Sequence, residues 1–231
     1  MKIFGIDTST NVRSAAITEE GRTIAEVCLD TGRKHSERLA PAVKQLFENA
    51  GLTPRDVDGY AVGLGPGSFT GLRTGISLLK GMAMANPAPV IGVSSLDALA
   101  SAAGCCTDIV MPLFDAKKGQ VFTARFESDG KGKVVRLSDD LAVDPSNLPS
   151  VESSPLFLGE GLTRYYDEIT AAYGEKVQQA PQSLWTLRAS TVCGLARPLL
   201  EQGHDHGLHT LLPVYVRNTD SELKLGPPQK G

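Results

Sequence analysis

Residues 57–93 read VDGYAVGLGPGSFTGLRTGISLLKGMAMANPAPVIGV. Val57 to Leu64 is an apolar run of strand length, and the glycine-rich loop from Gly65 to Gly71 cannot continue it. From about Leu72 to Ala85 the apolar residues recur at helical spacing, with Leu72, Ile76, Leu79 and Ala83 on one stripe. Asn86-Pro87 stops that helix, and Pro89 to Val93 reads as another buried strand. Strand, helix and strand in this order imply two parallel strands with a helix on one face of their sheet.

The pattern extends in both directions. Upstream, Lys2–Asp7, Ser14–Thr18 and Thr23–Leu29 read as three strands in a meander, with a turn at Glu19-Glu20-Gly21. Residues 35–50 carry Leu39, Val43, Leu46, Phe47 and Ala50 on one helical stripe, with Ser36 as N-cap and Gly51 as stop. Pro41 requires that this helix begin nearer Arg38 or kink. Downstream, Ser94 or Ser95 caps a helix reaching about Ala102. Residues 1–103 therefore read β-β-β-α-β-α-β-α, a mixed sheet with helices on its faces. A second run of strands follows at Asp108–Phe114, Gly119–Phe126, Lys133–Leu141 and Pro155–Leu158, with the turn Asp129-Gly130-Lys131-Gly132 inside it. Helices are expected at Leu162–Tyr173 and Thr191–Glu201, and Leu211 to Arg217 closes the second half. The expectation is an α/β protein of two lobes of related topology, residues 1–103 and a degenerate 104–217. A tail, 218–231, has Leu223 and Leu225 as its only aliphatics and should be flexible.

With 231 residues, 41% of them hydrophobic and 21% charged, the chain can bury a core without disulfides or metal. No apolar run reaches the roughly 18 residues of a membrane helix, and Met1 to Ser9 has no secretory pattern. A formal net charge of -3 argues against strong independent binding to nucleic acid. Cys28, Cys105, Cys106 and Cys193 include no C-x-x-C pair, which fits a reducing, cytoplasmic setting.

Four segments carry groups capable of chemistry. Asp7-Thr8-Ser9 follows the first strand, where a carboxylate with hydroxyls can hold a metal-bound phosphate or simply close a turn. In Gly65-Pro66-Gly67-Ser68-Phe69-Thr70-Gly71, glycines ahead of a helix N-terminus can admit an anion. The loop lacks the lysine of a Walker A motif and the spacing of G-x-G-x-x-G, so a tight turn with close helix packing is the competing reading. If the protein is an enzyme of this kind, Asp7, Ser9, Gly65, Gly67 and Ser68 would hold the cofactor; the resemblance described below implies instead no cofactor and no catalytic residue. His35-Ser36-Glu37 reads as a helix start, since consecutive residues do not assemble a triad. His204, Asp205, His206 and His209 are the densest group of possible ligands, but glycines at 203 and 207 suggest a solvated linker and no physiological metal.

The helix at 72–85 has Arg73 and Lys80 as its only charges, so it is either buried or covered by another chain. With the helix at 35–50 it is expected to lie on one face of the first lobe. The candidate partner surface is Leu39, Val43, Leu46, Phe47, Leu72, Gly75, Ile76, Leu78, Leu79 and Met82.

The segments KIFGIDTST, HSERLAPAVKQLF, GLGPGSFTGLRTG and VIGVSSLDALA, in that order over residues 1–103, resemble the TsaB (YeaZ) family. The likeness is loose afterwards and rests on LPVYVR near the end. It implies the two-lobed actin and sugar-kinase fold with RNase-H-like lobes, each a five-stranded mixed sheet. It also implies a non-catalytic subunit required for threonylcarbamoyl modification of adenosine 37 in tRNA. The implied partners are a TsaD-like catalytic subunit and a TsaE-like ATPase, with tRNA bound only within the complex. Without a partner, the apolar patch leaves the free chain either a monomer or a homodimer, and no membrane partner is expected. The catalytic relative has an H-x-x-x-H metal motif whose positions, counted from Val93, are Ser95 and Leu99 here, and leucine has no donor atom. The alternative is a stand-alone phosphotransferase or glycoprotease-like hydrolase of the same superfamily.

Overall fold

The computed structural model describes residues 1–30, 38–105, 107–174 and 177–216. β1 (Lys2–Asp7), β2 (Val12–Glu19) and β3 (Arg22–Asp30) form the antiparallel meander. Glu20 and Gly21 join β2 to β3 with φ of 50° and 78°, the two left-handed residues that a two-residue hairpin needs. α1 (Leu39–Ala50), β4 (Gly59–Gly63), α2 (Phe69–Ala85), β5 (Val90–Val93) and α3 (Ser95–Ser101) follow. The strand order is β3-β2-β1-β4-β5, with β4 parallel to β1 and β5 parallel to β4.

The start of α1 follows one of the two readings of Pro41, and the start of α2 corrects the sequence reading. α1 begins at Leu39, which leaves Pro41 in the first turn, where its missing N–H breaks no helical bond. The expected cap Ser36, with His35 and Glu37, lies outside the described residues. α2 begins at Phe69, three residues early, because Ser68 inside the loop supplies the cap and its Oγ accepts from the Gly71 N–H.

Side-chain alternation divides the first sheet between two cores. Phe4, Ile6, Ala15, Ile17, Tyr60 and Val62 face α1 and α2. Ile3, Ala61, Ile91 and Val93 face the other way, into a core shared with α3 and with the last helix of the chain.

The second half contains β6 (Thr107–Pro112), β7 (Phe114–Lys117), β8 (Gln120–Thr123), β9 (Phe126–Asp129), β10 (Val134–Arg136), β11 (Leu141–Val143), β12 (Leu156–Leu158), α4 (Gly161–Tyr173), β13 (Gln178–Gln179) and α5 (Ala189–Glu201). Its main sheet runs β10-β9-β6-β12-β13, with antiparallel and parallel neighbours in the same sequence as the first sheet. This repetition of one topology is the actin and sugar-kinase architecture. A small sheet, β11-β8-β7, is inserted. The segments 119–126 and 133–141, each expected as one strand, are each divided. Between Thr123 and Phe126 the chain leaves the small sheet for the large one, and the Arg125 N–H donates to Ser138 Oγ instead of to a strand.

α5 follows the second sheet but packs on the first. A Cβ on Gly5 would strike Cys193 Sγ, so β1 and α5 approach as closely as their backbones permit. Ser14 Oγ donates to the Leu187 carbonyl, and Glu26 takes Arg188 at 2.8 Å. The closing segment also returns to the first sheet, since the Val214 N–H donates to the Leu64 carbonyl. α5 and the closing segment, both from the second half of the chain, thus pack on the first sheet.

Candidate functional site

Asp7 ends β1, 1% exposed. Its Oδ1 accepts from the Ser9 N–H at 2.8 Å and Ser9 Oγ at 2.7 Å, and its Oδ2 accepts from Ser95 Oγ at 2.7 Å. Ser95 Oγ in turn accepts from the Gly65 N–H. One carboxylate thus ties the turn after β1, the loop after β4 and the start of α3. Burial pushes its pKa up, against the opposing pull of these hydrogen bonds.

The glycine-rich loop lies directly against that turn. Ser68 N–H donates to the Ser9 carbonyl, and Thr8 Oγ1 donates to the Gly71 carbonyl. A Cβ on Gly67 would strike the Ser9 carbonyl oxygen, and one on Gly71 the Thr8 carbonyl oxygen. The five sequence candidates Asp7, Ser9, Gly65, Gly67 and Ser68 are therefore brought together, but facing one another: the space that could admit a phosphate is filled by residues 8 and 9. Leu99 is fully buried in the shared core, so the two positions matching the relative's metal pair hold a hydroxyl committed to Asp7 and an apolar side chain.

His206 occupies a place that the linker reading missed. Its N–H donates to the Val90 carbonyl, its Nδ1 accepts from the Gly92 N–H at 3.1 Å, and Asp205 Oδ1 accepts from the Val90 N–H. The segment caps the free edge of β5, whose backbone groups would otherwise lack partners. Among the described residues no three His, Cys, Asp or Glu side chains stand close enough to hold a metal ion.

Two further arrangements had no sequence signal. Glu160, after β12, accepts from the Asn11 N–H and so links the second half to the β1–β2 loop. A groove of about 350 Å³ lies between α3, α5 and β10, but its charged wall is closed on itself. There Arg136 binds Asp97 at 2.9 Å, Asp140 at 2.6 Å and Ser94 Oγ at 3.0 Å. The Asn11–Glu160, Arg136–Asp97 and Arg136–Ser94 contacts join residues far apart in sequence, and no spacing rule reveals them.

The expected partner surface is corrected by burial. Leu39, Val43, Leu46, Phe47, Leu72, Gly75, Ile76 and Leu79 are buried in the chain's own structure, because α1 and α2 each turn their apolar stripe to the sheet. Only Leu78 and Met82 of that set remain half-exposed. What α2 turns outward is Phe69, Thr70, Arg73, Ser77, Gly81, Met84 and Ala85, with Met84 73% exposed. At the start of this band the Phe69 ring stacks on Tyr215 at 5.2 Å and Arg73 lies over it at 3.9 Å.

The family described as TsaD: tRNA N6-adenosine threonylcarbamoyltransferase matches residues 27–145. The chain is 30% identical to the tRNA threonylcarbamoyladenosine biosynthesis protein TsaB of Bacillus subtilis, covering 100% of both. It is 36% identical to the Escherichia coli protein of the same name over 136 residues, 57% of this chain and 58% of that one. Among solved structures it is similar to YeaZ from Pseudomonas aeruginosa, with a TM-score of 0.79, 28% identity, and coverage of 93% of this chain and 99% of that chain.

Proposed function

This chain belongs to the TsaB (YeaZ) family, and on that premise we propose that it takes part in threonylcarbamoyladenosine synthesis on tRNA as a non-catalytic, activating subunit. In this reading it pairs with a TsaD-type catalytic subunit, is joined by a TsaE-type ATPase, and meets tRNA only within that assembly, in the cytoplasm. The observation that carries the reading is the outer face of α2. Arg73 and Lys80 are the only charges of its 17 residues, its other exposed side chains are small or apolar, and a Cβ on Gly81 meets nothing within 4 Å. Small residues at 77, 81 and 85, one turn apart, let another helix approach closely. In the partner's absence the same face pairs two copies by two-fold symmetry.

The enzymatic alternative needs Asp7 and Ser9 free to meet a substrate, and both are bonded into the turn and at most 2% exposed. The test is reconstitution of threonylcarbamoyl transfer to unmodified tRNA from separately purified subunits. Transfer should require this chain together with its partners and be absent from the chain alone. Transfer or peptidase activity by the isolated chain would overturn the proposal.

A further inference from the structure

The groove between α3, α5 and β10 is lined by two unlike sets of side chains. Val93, Val134, Leu195 and Leu199 supply hydrocarbon, and the two leucines stand one turn apart on α5. Asp97 and Arg136 supply the charged wall. Its volume of about 350 Å³ falls at the lower end of the range of small-molecule sites, roughly 300–1,000 Å³.

All five N–H groups of Arg136 are directed at acceptors of the protein. Nε and Nη2 each meet Asp97 Oδ1 at 2.9 Å, and Nη2 also donates to Ser94 Oγ at 3.0 Å. Nη1 donates to Asp140 Oδ1 at 2.6 Å and to the Ser138 carbonyl at 3.1 Å. The guanidinium therefore has no donor left for an anion. Among the described residues it is the one cation that Asp97 or Asp140 meets, so two carboxylates share one positive charge. The surplus falls on Asp97. Both contacts of its carboxylate are made by Oδ1, and Oδ2 accepts from no described residue. The Asp97 side chain is 37% exposed, against 16% for Asp140. Burial raises the pKa of Asp97 against the pull of Arg136. The groove thus offers hydrocarbon to a stem and a carboxylate oxygen to a positive head.

We infer that this groove binds a small free aliphatic amine, with its ammonium head on Asp97 Oδ2 and its stem along Leu195 and Leu199. Lysine stems lie on apolar surface in the same manner, with the charged end turned to a polar group. The site stands apart from the surface proposed for a partner, because α3 and α5 cover one face of the first sheet and α1 and α2 the other.

The test is a titration of the whole isotope-labelled chain with butylamine, 1-butanol or butyrate, followed by amide shifts in two-dimensional NMR. Butylamine should give saturable shifts at Gly92, Val93, Asp97, Leu195 and Leu199, 1-butanol should bind more weakly, and butyrate should not bind. Asp97→Asn keeps the shape of the wall and should weaken butylamine binding at least about tenfold. Ser101 also lines the groove, one turn along α3 from Asp97. Ser101→Lys should supply the ammonium from within the chain and abolish butylamine binding while Asp97 and Arg136 remain. That variant decides the matter should Asp97→Asn fail to fold. Absence of saturable shifts with butylamine, equal affinity for 1-butanol, or saturation by butyrate would overturn the inference. So would unchanged binding in Ser101→Lys or in folded Asp97→Asn. Tighter binding of Nα-acetyl-lysine amide than of butylamine would also overturn it, in favour of a lysine side chain from another protein.

Discussion

Replacing Gly81 by alanine should move stability and association in opposite directions. Gly81 lies within α2, is exposed, and has no neighbour within 4 Å of where a Cβ would sit. In the free chain the new methyl meets only solvent and lowers the entropy cost of the helix, which stabilises by about 0.5–1 kcal/mol. For a chain of this size that raises the melting temperature by roughly 1–4 °C. In the proposed complex the same methyl would stand where a partner helix packs against bare backbone. Overpacking at a fitted contact costs about 1–3 kcal/mol, which weakens association roughly 5- to 150-fold. Scanning calorimetry of the free variant and sedimentation equilibrium with the TsaD-type partner measure the two effects separately. A lower melting temperature would mean that Gly81 is packed within the chain. Unchanged association would falsify the assignment of the outer face of α2 to the partner.

Three other outcomes follow from buried groups. Asp7 has a raised pKa, so the folded state binds more protons than the unfolded one between the ordinary aspartate value and that raised value. Stability from this group therefore falls as pH rises through the folded value and is level above it. Relative to Asp7→Asn, wild type should gain in urea midpoint on acidification across that window, and parallel curves would contradict the burial. Burial raises the Cys193 thiol to about 12, so iodoacetamide at pH 8 should label exposed Cys28 and spare Cys193 until urea unfolds the chain, as read by mass spectrometry. Leu211, 1% exposed, should cost about 2–5 kcal/mol as Leu211→Ala. That lowers the melting temperature by about 4–20 °C, and a smaller loss would show that the closing segment is only loosely held.

The first half was readable because its signals are local. Period-two and period-3.6 patterns located the meander, the three helices and the parallel strands within a few residues, and the doubled topology follows from the order of elements. What could not be read depends on contacts between distant segments. Ser68 starts α2 early through one hydroxyl, and Ala124-Arg125 lead the chain from one sheet to another. His206 looks like a metal ligand or a loop residue until β5 is seen to need an edge partner. The interface candidates at 39–47 and 72–79 carried a correct signal with two meanings: an apolar stripe says that a face is covered, and only the fold says by what. Here the sheet covers it, and the outer face proposed for a partner is the one with little hydrophobic signal at all.

The return of α5 to the first sheet bears on how the protein is made. The apolar face formed by Ile3, Ala61, Ile91 and Val93 is complete once β5 emerges from the ribosome, yet α5, which shares that core, ends at Glu201. At roughly 5–20 residues per second, that face waits about 5–20 s for its cover. Through that interval the nascent first sheet is a surface for chaperones or for aggregation. A fragment ending near residue 103 should be insoluble by itself, and adding residues 189–216 as a separate peptide should rescue it.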